Sequence, residues 1–159
     1  MSSLSPLNTM KQMEEIYMKA IRDVMTTDVS VCTSNDTLYE AAVKMKEKNV
    51  GAIPVCDDDQ NLLGMVTDRD LVIRGYAEKH SGSTKIQQAM SDHLTSASPD
   101  TSIQEASKLM AEKQIRRLPI VENGKLVGIV SLGDLSVEQQ SNEAAGHALE
   151  EISERPEVH

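Results

Sequence analysis

The sequence contains one unit of about 65 residues twice, and this repeat restricts the possible folds more than any other feature. The two copies align at a constant offset of 65, which pairs Met25 with Met90, Glu40 with Glu105, and Pro54 with Pro119. After a one-residue deletion in a turn the offset is 64, which pairs Gly64 with Gly128, Thr67 with Ser131, Asp70 with Asp134, and Leu71 with Leu135. One such unit buries little apolar surface by itself, so the two copies are predicted to pack together as a pseudo-twofold pair.

Each copy is predicted to contain a strand, a helix, two strands and a second helix, in that order. The first strands are expected at 29–33 and 94–98. The first helices are predicted to begin at Thr37 and Ser102, because each is followed three residues later by a glutamate, as in a reciprocal capping box. One face of each helix is expected to be buried; its residues are Leu38, Ala41, Ala42 and Met45 in the first copy, and Ile103, Ala106, Leu109 and Met110 in the second.

Two apolar runs follow each first helix and are predicted to form β-hairpins. The runs are AIPVC and LLGMV in the first copy, and LPIV and LVGIV in the second. In the second hairpin Asn123 and Gly124 are expected to form the turn, since both tolerate a positive φ. A second helix is then predicted to begin at Thr67 and at Ser131.

Composition argues against several functions. The net charge is -9, which disfavours binding to a nucleic-acid backbone, and a chain with three Tyr and no Phe or Trp has few rings on which bases could stack. Cys32 and Cys56 show no metal-binding spacing and are expected to be small buried hydrophobes. No apolar stretch reaches membrane-spanning length, so a soluble, cytoplasmic protein is predicted.

The repeated pattern resembles the CBS motif, named after cystathionine β-synthase. The first copy reads GAIPV, hairpin, GMVTDRDL, and the second reads RRLPIV, hairpin, GIVSLGDL. The resemblance implies an α+β Bateman module of two β-α-β-β-α motifs, at 18–80 and 81–137, between an N-terminal helical extension at 1–17 and an acidic tail at 138–159. It also implies a homodimer with no required cofactor. Its ligand would be AMP, ADP, ATP or another adenosyl compound, bound in the cleft between the motifs.

The ligand-binding residues follow from the same resemblance. Thr67 and Ser131 are expected to contact phosphate, and Asp70 and Asp134 the ribose hydroxyls. A helix N-terminus offers amide donors to phosphate, and a carboxylate can accept both ribose protons. The alternative is that each pair only caps its helix, since Ser or Thr followed three residues later by Asp marks a helix start.

Apolar and proline residues beside these pairs are weaker candidates. Pro54 and Pro119 interrupt strand-like sequence, which places a strand at an edge or a bulge. Backbone groups beside them could read the edge of adenine, and Ile53 and Leu118 could form its apolar wall. The alternative is that all four residues are ordinary parts of an edge strand and the core.

The two copies differ in their arginines. The second copy has Arg116 and Arg117 where the first has Gly51 and Ala52, and the first has Arg69 where the second has Gly133. Arg69 and Arg117 are therefore candidate phosphate ligands that would make the two sites unequal, unless they are surface residues only.

No catalytic constellation is found in the sequence, so a regulatory module that signals to an unidentified partner protein is predicted rather than an enzyme. The alternative from another class is a structural dimer that scaffolds a partner and binds no nucleotide. The aspartates Asp57, Asp58 and Asp59 begin like a calcium loop, but Leu62 stands where glycine is required, so a solvated turn is favoured.

Overall fold

The computed structural model describes residues 19–91 and 94–138. The described chain has an α+β fold, as predicted. The strands are β1 (Cys32–Thr33), β2 (Ala52–Cys56), β3 (Leu62–Thr67), β4 (Arg117–Glu122) and β5 (Lys125–Ser131). The helices are α1 (Leu38–Lys48), α2 (Asp68–Asp70, continuing as a π-helix over Leu71–Tyr76), α3 (Ile103–Lys113) and α4 (132–138), with 3₁₀ turns at Ile21–Asp23 and Ile86–Gln88.

The strands form a three-stranded sheet in the order β1-β2-β3 and a two-stranded sheet of β4 and β5. β1 is parallel to β2, and β2 is antiparallel to β3. The turn between β4 and β5 has the predicted geometry, with φ of 55° at Asn123 and 81° at Gly124. The first strand of each copy is shorter than expected: β1 has two residues, and in 94–98 only Ala97 forms a bridge, to Ile120.

The helices α1 and α3 begin at the predicted residues, but only half of each capping box is present. The Thr37 hydroxyl accepts from the Glu40 amide at 3.1 Å, and the Ser102 hydroxyl accepts from the Glu105 amide at 3.1 Å. Within the described chain, neither glutamate carboxylate returns a bond to its capping residue. The amide of the next residue, the first of each helix, donates to a backbone carbonyl from a distant segment, as described next.

Two equivalent segments, 19–26 and 84–91, precede the two repeats; we call them the leading segments. The amide of Leu38 in α1 donates to the carbonyl of Thr84 at 2.9 Å. The amide of Ile103 in α3 donates to the carbonyl of Lys19 at 3.1 Å. Each leading segment therefore pairs with the first helix of the other repeat.

The described residues form two compact units that are not continuous in sequence. One unit consists of 19–25, 99–118 and 130–138, and the other of 26–91, 94–98 and 119–129. The exchange of leading segments accounts for the first unit, where Ala20 bridges Ser102 and the Ile21 amide donates to the Thr101 carbonyl at 2.8 Å. The motif boundaries at 18, 81 and 138 remain a prediction; the predicted extension at 1–17 and all of the predicted tail except residue 138 lie outside the described residues.

The core of the second unit joins α1, the first sheet and the second leading segment. It consists of Cys32, Ala41, Met45, Ile53, Val55, Val66 and Ile86. The expected buried face of α1 is correct for Leu38, Ala41 and Met45 but wrong for Ala42, which is exposed. Ala42 follows the buried Ala41, and successive residues of an α-helix point about 100° apart around its axis, so Ala42 lies outside the buried face.

Both cysteines are buried and free, as expected. In the β1–β2 register Cys32 pairs with Val55 and Cys56 pairs with Thr33. Neighbouring residues of a strand point to opposite faces, so the two thiols lie on opposite faces of the sheet. Burial raises the pKa of the Cys32 thiol to about 11, which keeps it protonated and unreactive at neutral pH.

Candidate functional site

The first hydroxyl–carboxylate pair, Thr67 and Asp70, lies at the start of α2 in the second unit. The Thr67 hydroxyl accepts from the Asp70 amide at 3.0 Å, and the Thr67 amide donates to the Asp70 carboxylate at 2.9 Å. This is a complete capping box. The capping role of this pair is therefore present in the structure, and a ligand contact by Asp70 stays a prediction.

The second pair, Ser131 and Asp134, lies at the start of α4 in the first unit and is only half closed. The Ser131 hydroxyl accepts from the Asp134 amide at 3.1 Å. The Asp134 side chain is exposed, and among the described residues its carboxylate has no hydrogen-bond or ion-pair partner. The two equivalent aspartates thus differ. The Asp70 carboxylate accepts a bond from the start of its own helix, and the Asp134 carboxylate accepts none from a described residue.

The residues around the two helix starts also differ. At α2 the Asp68 amide donates to the Gly51 carbonyl at 2.9 Å, and the Asp68 carboxylate accepts from the Arg69 amide at 2.8 Å. A Cβ on Gly51 would lie 3.2 Å from a carboxylate oxygen of Asp68, so this carboxylate fills the space above residue 51. Two amides at the start of α2, those of Thr67 and Arg69, therefore already donate to carboxylates of the same segment.

The start of α4 carries no equivalent of Asp68. The Leu132 amide donates to the Arg116 carbonyl at 2.7 Å, which repeats the bond at α2. A Cβ on Gly133 would meet no atom within 4 Å, so the surface beside this turn is open. Asp68 was not identified as a site residue from the sequence, although an acidic residue in the first turn of a helix is a recognisable signal.

The candidate arginines have no ion-pair partner in the part of the chain that the structure describes. Arg69 and Arg116 are exposed and Arg117 is half-buried. Their guanidinium groups can therefore bind an anion without first breaking an ion pair to another described residue.

The two prolines lie in equivalent surroundings, and each has a neighbouring segment on both sides, so the expectation of an edge strand is wrong for both. Pro54 lies on β2, between β1 and β3, and a register shift directly after it agrees with the other expectation, a bulge. Pro119 lies on β4, which pairs with β5 and with the segment of Ala97, whose amide donates to the Pro119 carbonyl at 3.2 Å. On β3, Met65 lies opposite Pro54 and needs no bond from it, because Met65 exchanges both backbone bonds with Ser91, at 2.9 and 3.1 Å.

The proposed apolar wall is well buried. Ile53 is 1% exposed and Leu118 is fully buried. Ile53 belongs to the core of the second unit. The burial of both side chains shows that they contribute to packing. A contact between either of them and a ligand remains a prediction.

The asymmetry of the two aspartates leads to a stability prediction. Asp70→Ala removes the acceptor of the Thr67 amide, so we expect the free energy of unfolding to fall by about 1 kcal/mol, as for the loss of a cap. The repeat-matched control is Asp134→Ala, which removes a carboxylate without a described partner and should change stability much less. Urea unfolding followed by circular dichroism measures both, and equal losses would contradict the assignment.

No group of three His, Cys, Asp or Glu residues that could hold a metal occurs in the described part of the chain. In the same residues, no helix has the length and apolar character needed to cross a membrane.

Comparison with known proteins identifies the repeated unit. The CBS domain family model matches residues 21–75 and 86–139. The uncharacterised protein YlbB of Bacillus subtilis is 55% identical over 138 residues, which cover 86% of this chain and 93% of YlbB.

Two solved structures share the fold. The crystal structure of Hypoxic Response Protein I with two coordinated zinc ions has a TM-score of 0.69 and 37% identity, covering 75% of this chain and 98% of that one. The crystal structure of CBSX2 in complex with AMP has a TM-score of 0.70 and 25% identity, covering 78% of this chain and 98% of CBSX2.

Proposed function

Because the chain belongs to the CBS-domain family, we propose that it is a regulatory module that binds an adenine nucleotide or a related adenosyl ligand. Occupancy by the ligand favours one conformation of the module, and a partner protein responds to that conformation. The module regulates and does not itself catalyse a reaction. Its two buried free thiols suit a reducing compartment such as the cytoplasm.

The observation that carries this proposal is the hydroxyl–aspartate pair at the same place in both repeats, with an Asp134 carboxylate that has no partner among the residues of 19–91 and 94–138. An unpaired carboxylate accepts both hydroxyl protons of a ribose without losing an internal bond, and charge-assisted bonds of this kind are strong. The AMP in the CBSX2 structure supports an adenine nucleotide as the ligand class.

The local charges favour the second motif as the binder of a phosphorylated ligand. Asp68 places a negative charge at the start of α2, where it would repel phosphate. The second motif has Leu132 and Gly133 in the same turn, and the bond from the Leu132 amide to the Arg116 carbonyl brings Arg116 and its neighbour Arg117 to this helix start. We therefore propose that Ser131, Asp134 and Arg117 hold a nucleotide more tightly than Thr67, Asp70 and Arg69.

The remaining candidates define the base end of the proposed site. Pro54 and Pro119 would present backbone groups to adenine, and Ile53 and Leu118 would contact its faces. All four residues are buried in the absence of a ligand, so a ligand contact requires part of their surface to become exposed.

A thermal-shift panel tests the proposal on the full chain. AMP, ADP, ATP, S-adenosylmethionine, NAD and cyclic dinucleotides are each added, with GMP as the control for the base. A ligand at about 100 times its dissociation constant adds roughly 2.7 kcal/mol, which raises the Tm by several degrees for a chain of this length. We expect this shift for at least one adenosyl compound and not for GMP.

Two outcomes would reject the proposal. The absence of a shift with every compound would favour a scaffold without a nucleotide ligand. If chromatography shows that the protein converts a bound nucleotide to a product, a purely regulatory role is rejected.

A further inference from the structure

The turn between β4 and β5 contains a dipeptide whose chemistry the proposed function does not use. Asn123 and Gly124 are both exposed, with φ of 55° and 81°. The side-chain amide of an asparagine can be attacked by the backbone nitrogen of the next residue, which closes a five-membered ring. Glycine obstructs this attack least, because it has no Cβ. The turn is therefore formed by a chemically reactive pair of residues.

The nucleophile of this reaction has no acceptor in the part of the chain that the structure describes. In those residues the backbone amide of Gly124 donates no hydrogen bond, and the Asn123 side chain has no hydrogen-bond partner. An amide outside any hydrogen bond can approach the side chain without first losing one. The reaction therefore does not require the protein to unfold.

The other described asparagines provide internal controls. The amide that follows each of them is hydrogen-bonded to a backbone carbonyl; the amides and their acceptors are Asp36 to Thr33 (3.0 Å), Val50 to Met45 (3.1 Å) and Leu62 to Gly124 (3.2 Å). The Asn61 side chain is also held, because its nitrogen donates to the Asp57 carboxylate at 3.0 Å. Asn49 has the same φ as Asn123, so a positive φ alone does not distinguish the site.

The same turn contacts the turn of the first hairpin. The Gly124 carbonyl accepts from the Leu62 amide at 3.2 Å, and the Leu126 amide donates to the Gln60 carbonyl at 3.0 Å. The Lys125 ammonium donates to the carbonyl of Asp59 at 2.6 Å. We call these three bonds the turn junction; all of them lie within the second unit.

We propose that Asn123 deamidates spontaneously in the folded protein and that the isoaspartate product opens the turn junction. The Gly124 nitrogen bonds to the side-chain carbonyl carbon of Asn123. The side-chain nitrogen leaves as ammonia and takes the Gly124 amide proton, so that a succinimide ring remains. Water then adds to either carbonyl of the ring and opens it, which gives aspartate or isoaspartate. Water is the only reactant that the protein does not supply.

Isoaspartate is the product that alters the backbone. The chain then runs through the former side chain, which adds one carbon atom between the α-carbon of residue 123 and the Gly124 nitrogen. The added atom displaces the Gly124 carbonyl from the Leu62 amide and shifts Leu126 relative to Gln60. The modification goes beyond the regulatory function, because no ligand takes part in it.

Incubation of the full chain at mildly alkaline pH tests the modification. Mass spectrometry of the tryptic peptide 118–125 measures conversion of amide to acid, and an isoaspartyl methyltransferase identifies isoaspartate. We expect Asn123 to convert at least about tenfold faster than any other described asparagine. In urea the Asn123 rate should change by less than about tenfold, whereas the Asn61 rate should rise more, since only Asn61 is followed by an amide with a bond to lose.

A second measurement tests the effect on the turn junction. The isoaspartate form is isolated by chromatography, and hydrogen exchange is measured at the amides of Leu62 and Leu126. Exchange of both should be faster than in the wild type by roughly tenfold, as expected when each amide loses one hydrogen bond. The control Asn123→Asp has the same charge without the added backbone atom and should leave the exchange of both amides nearly unchanged.

Each result can overturn one part of the proposal. An Asn123 that converts no faster than Asn61, or only in urea, would overturn the modification of the folded protein. Unchanged exchange in the isoaspartate form, or exchange equally fast in Asn123→Asp, would overturn the effect of the added backbone atom. Asn123→Gln should abolish the conversion in peptide 118–125, because the longer side chain closes its ring poorly, and circular dichroism confirms that each variant is folded.

Discussion

Replacing Ile86 by alanine is expected to lower the free energy of unfolding by about 2–5 kcal/mol, the range for removing a large buried aliphatic side chain. Ile86 is fully buried and belongs to the same core cluster as Ile53 and Val66. In sequence it precedes the second repeat, but in the structure it packs in the core of the first. The cavity left by the substitution would therefore open beneath α1, far from Ile86 along the chain.

The matched control is Gln87→Ala, the next residue of the same 3₁₀ turn, whose side chain is exposed. Its unfolding free energy should stay within about 0.5 kcal/mol of the wild type. Urea titrations of the three proteins compare them directly. A loss below 1 kcal/mol for Ile86→Ala would contradict the exchange of leading segments, because an Ile86 outside the first-repeat core would leave no cavity there.

The second large effect is expected on ligand affinity. If Asp134 accepts the ribose hydroxyls, Asp134→Asn removes charge-assisted bonds worth about 1.5–3 kcal/mol, a loss of roughly 10- to 100-fold in affinity. Asp70→Asn should cost less, since the Asp70 carboxylate already accepts the Thr67 amide and has less capacity for a ligand. Isothermal titration with the compound selected by the thermal-shift panel measures both.

Two controls separate ribose recognition from other effects. Asp134→Asn should leave the unfolding free energy of the ligand-free protein nearly unchanged, because its carboxylate has no described partner. Arg117→Ala should weaken binding of AMP and ATP but not of adenosine, which lacks phosphate. Equal losses for Asp70→Asn and Asp134→Asn would show that the capping bond does not limit the first motif.

The parts of the fold that the sequence predicts are those set by neighbouring residues. The helix starts at Thr37 and Ser102 depend on a hydroxyl and an amide three residues away. The turn at Asn123 and Gly124 depends on two residues that tolerate a positive φ. Such interactions require particular residue types within a few positions of one another, and the repeat shows most of these patterns twice.

The exchange of leading segments left no such pattern. The carbonyls of Lys19 and Thr84 bind amides of helices far away in sequence, and any residue has a carbonyl. The same reason explains Pro54, whose place in a middle strand depends on the bonds between Met65 and Ser91. Backbone pairing over long separations is not encoded in side-chain type, so it becomes visible only in the structure.

The capping role of the hydroxyl–aspartate pairs was predictable from their spacing in both repeats, but the difference between the two pairs was not. Their role in ligand binding comes from the resemblance to the CBS motif and stays a prediction. The difference between Asp70 and Asp134 arises from which carboxylate turns back onto its own capping amide. That choice is one of side-chain conformation, which the spacing of residues along the chain does not determine.

The exchanged leading segments also govern how the chain can fold during its synthesis. Residues 19–25 leave the ribosome early, but Thr101 and Ile103, to which they bond, are made about 80 residues later. Ile21 is fully buried in the folded protein, and the other described segments of its unit, 99–118 and 130–138, are synthesised only later. Contacts of such long separation slow folding, so we expect both halves to gain their native structure together, after most of the second repeat has emerged.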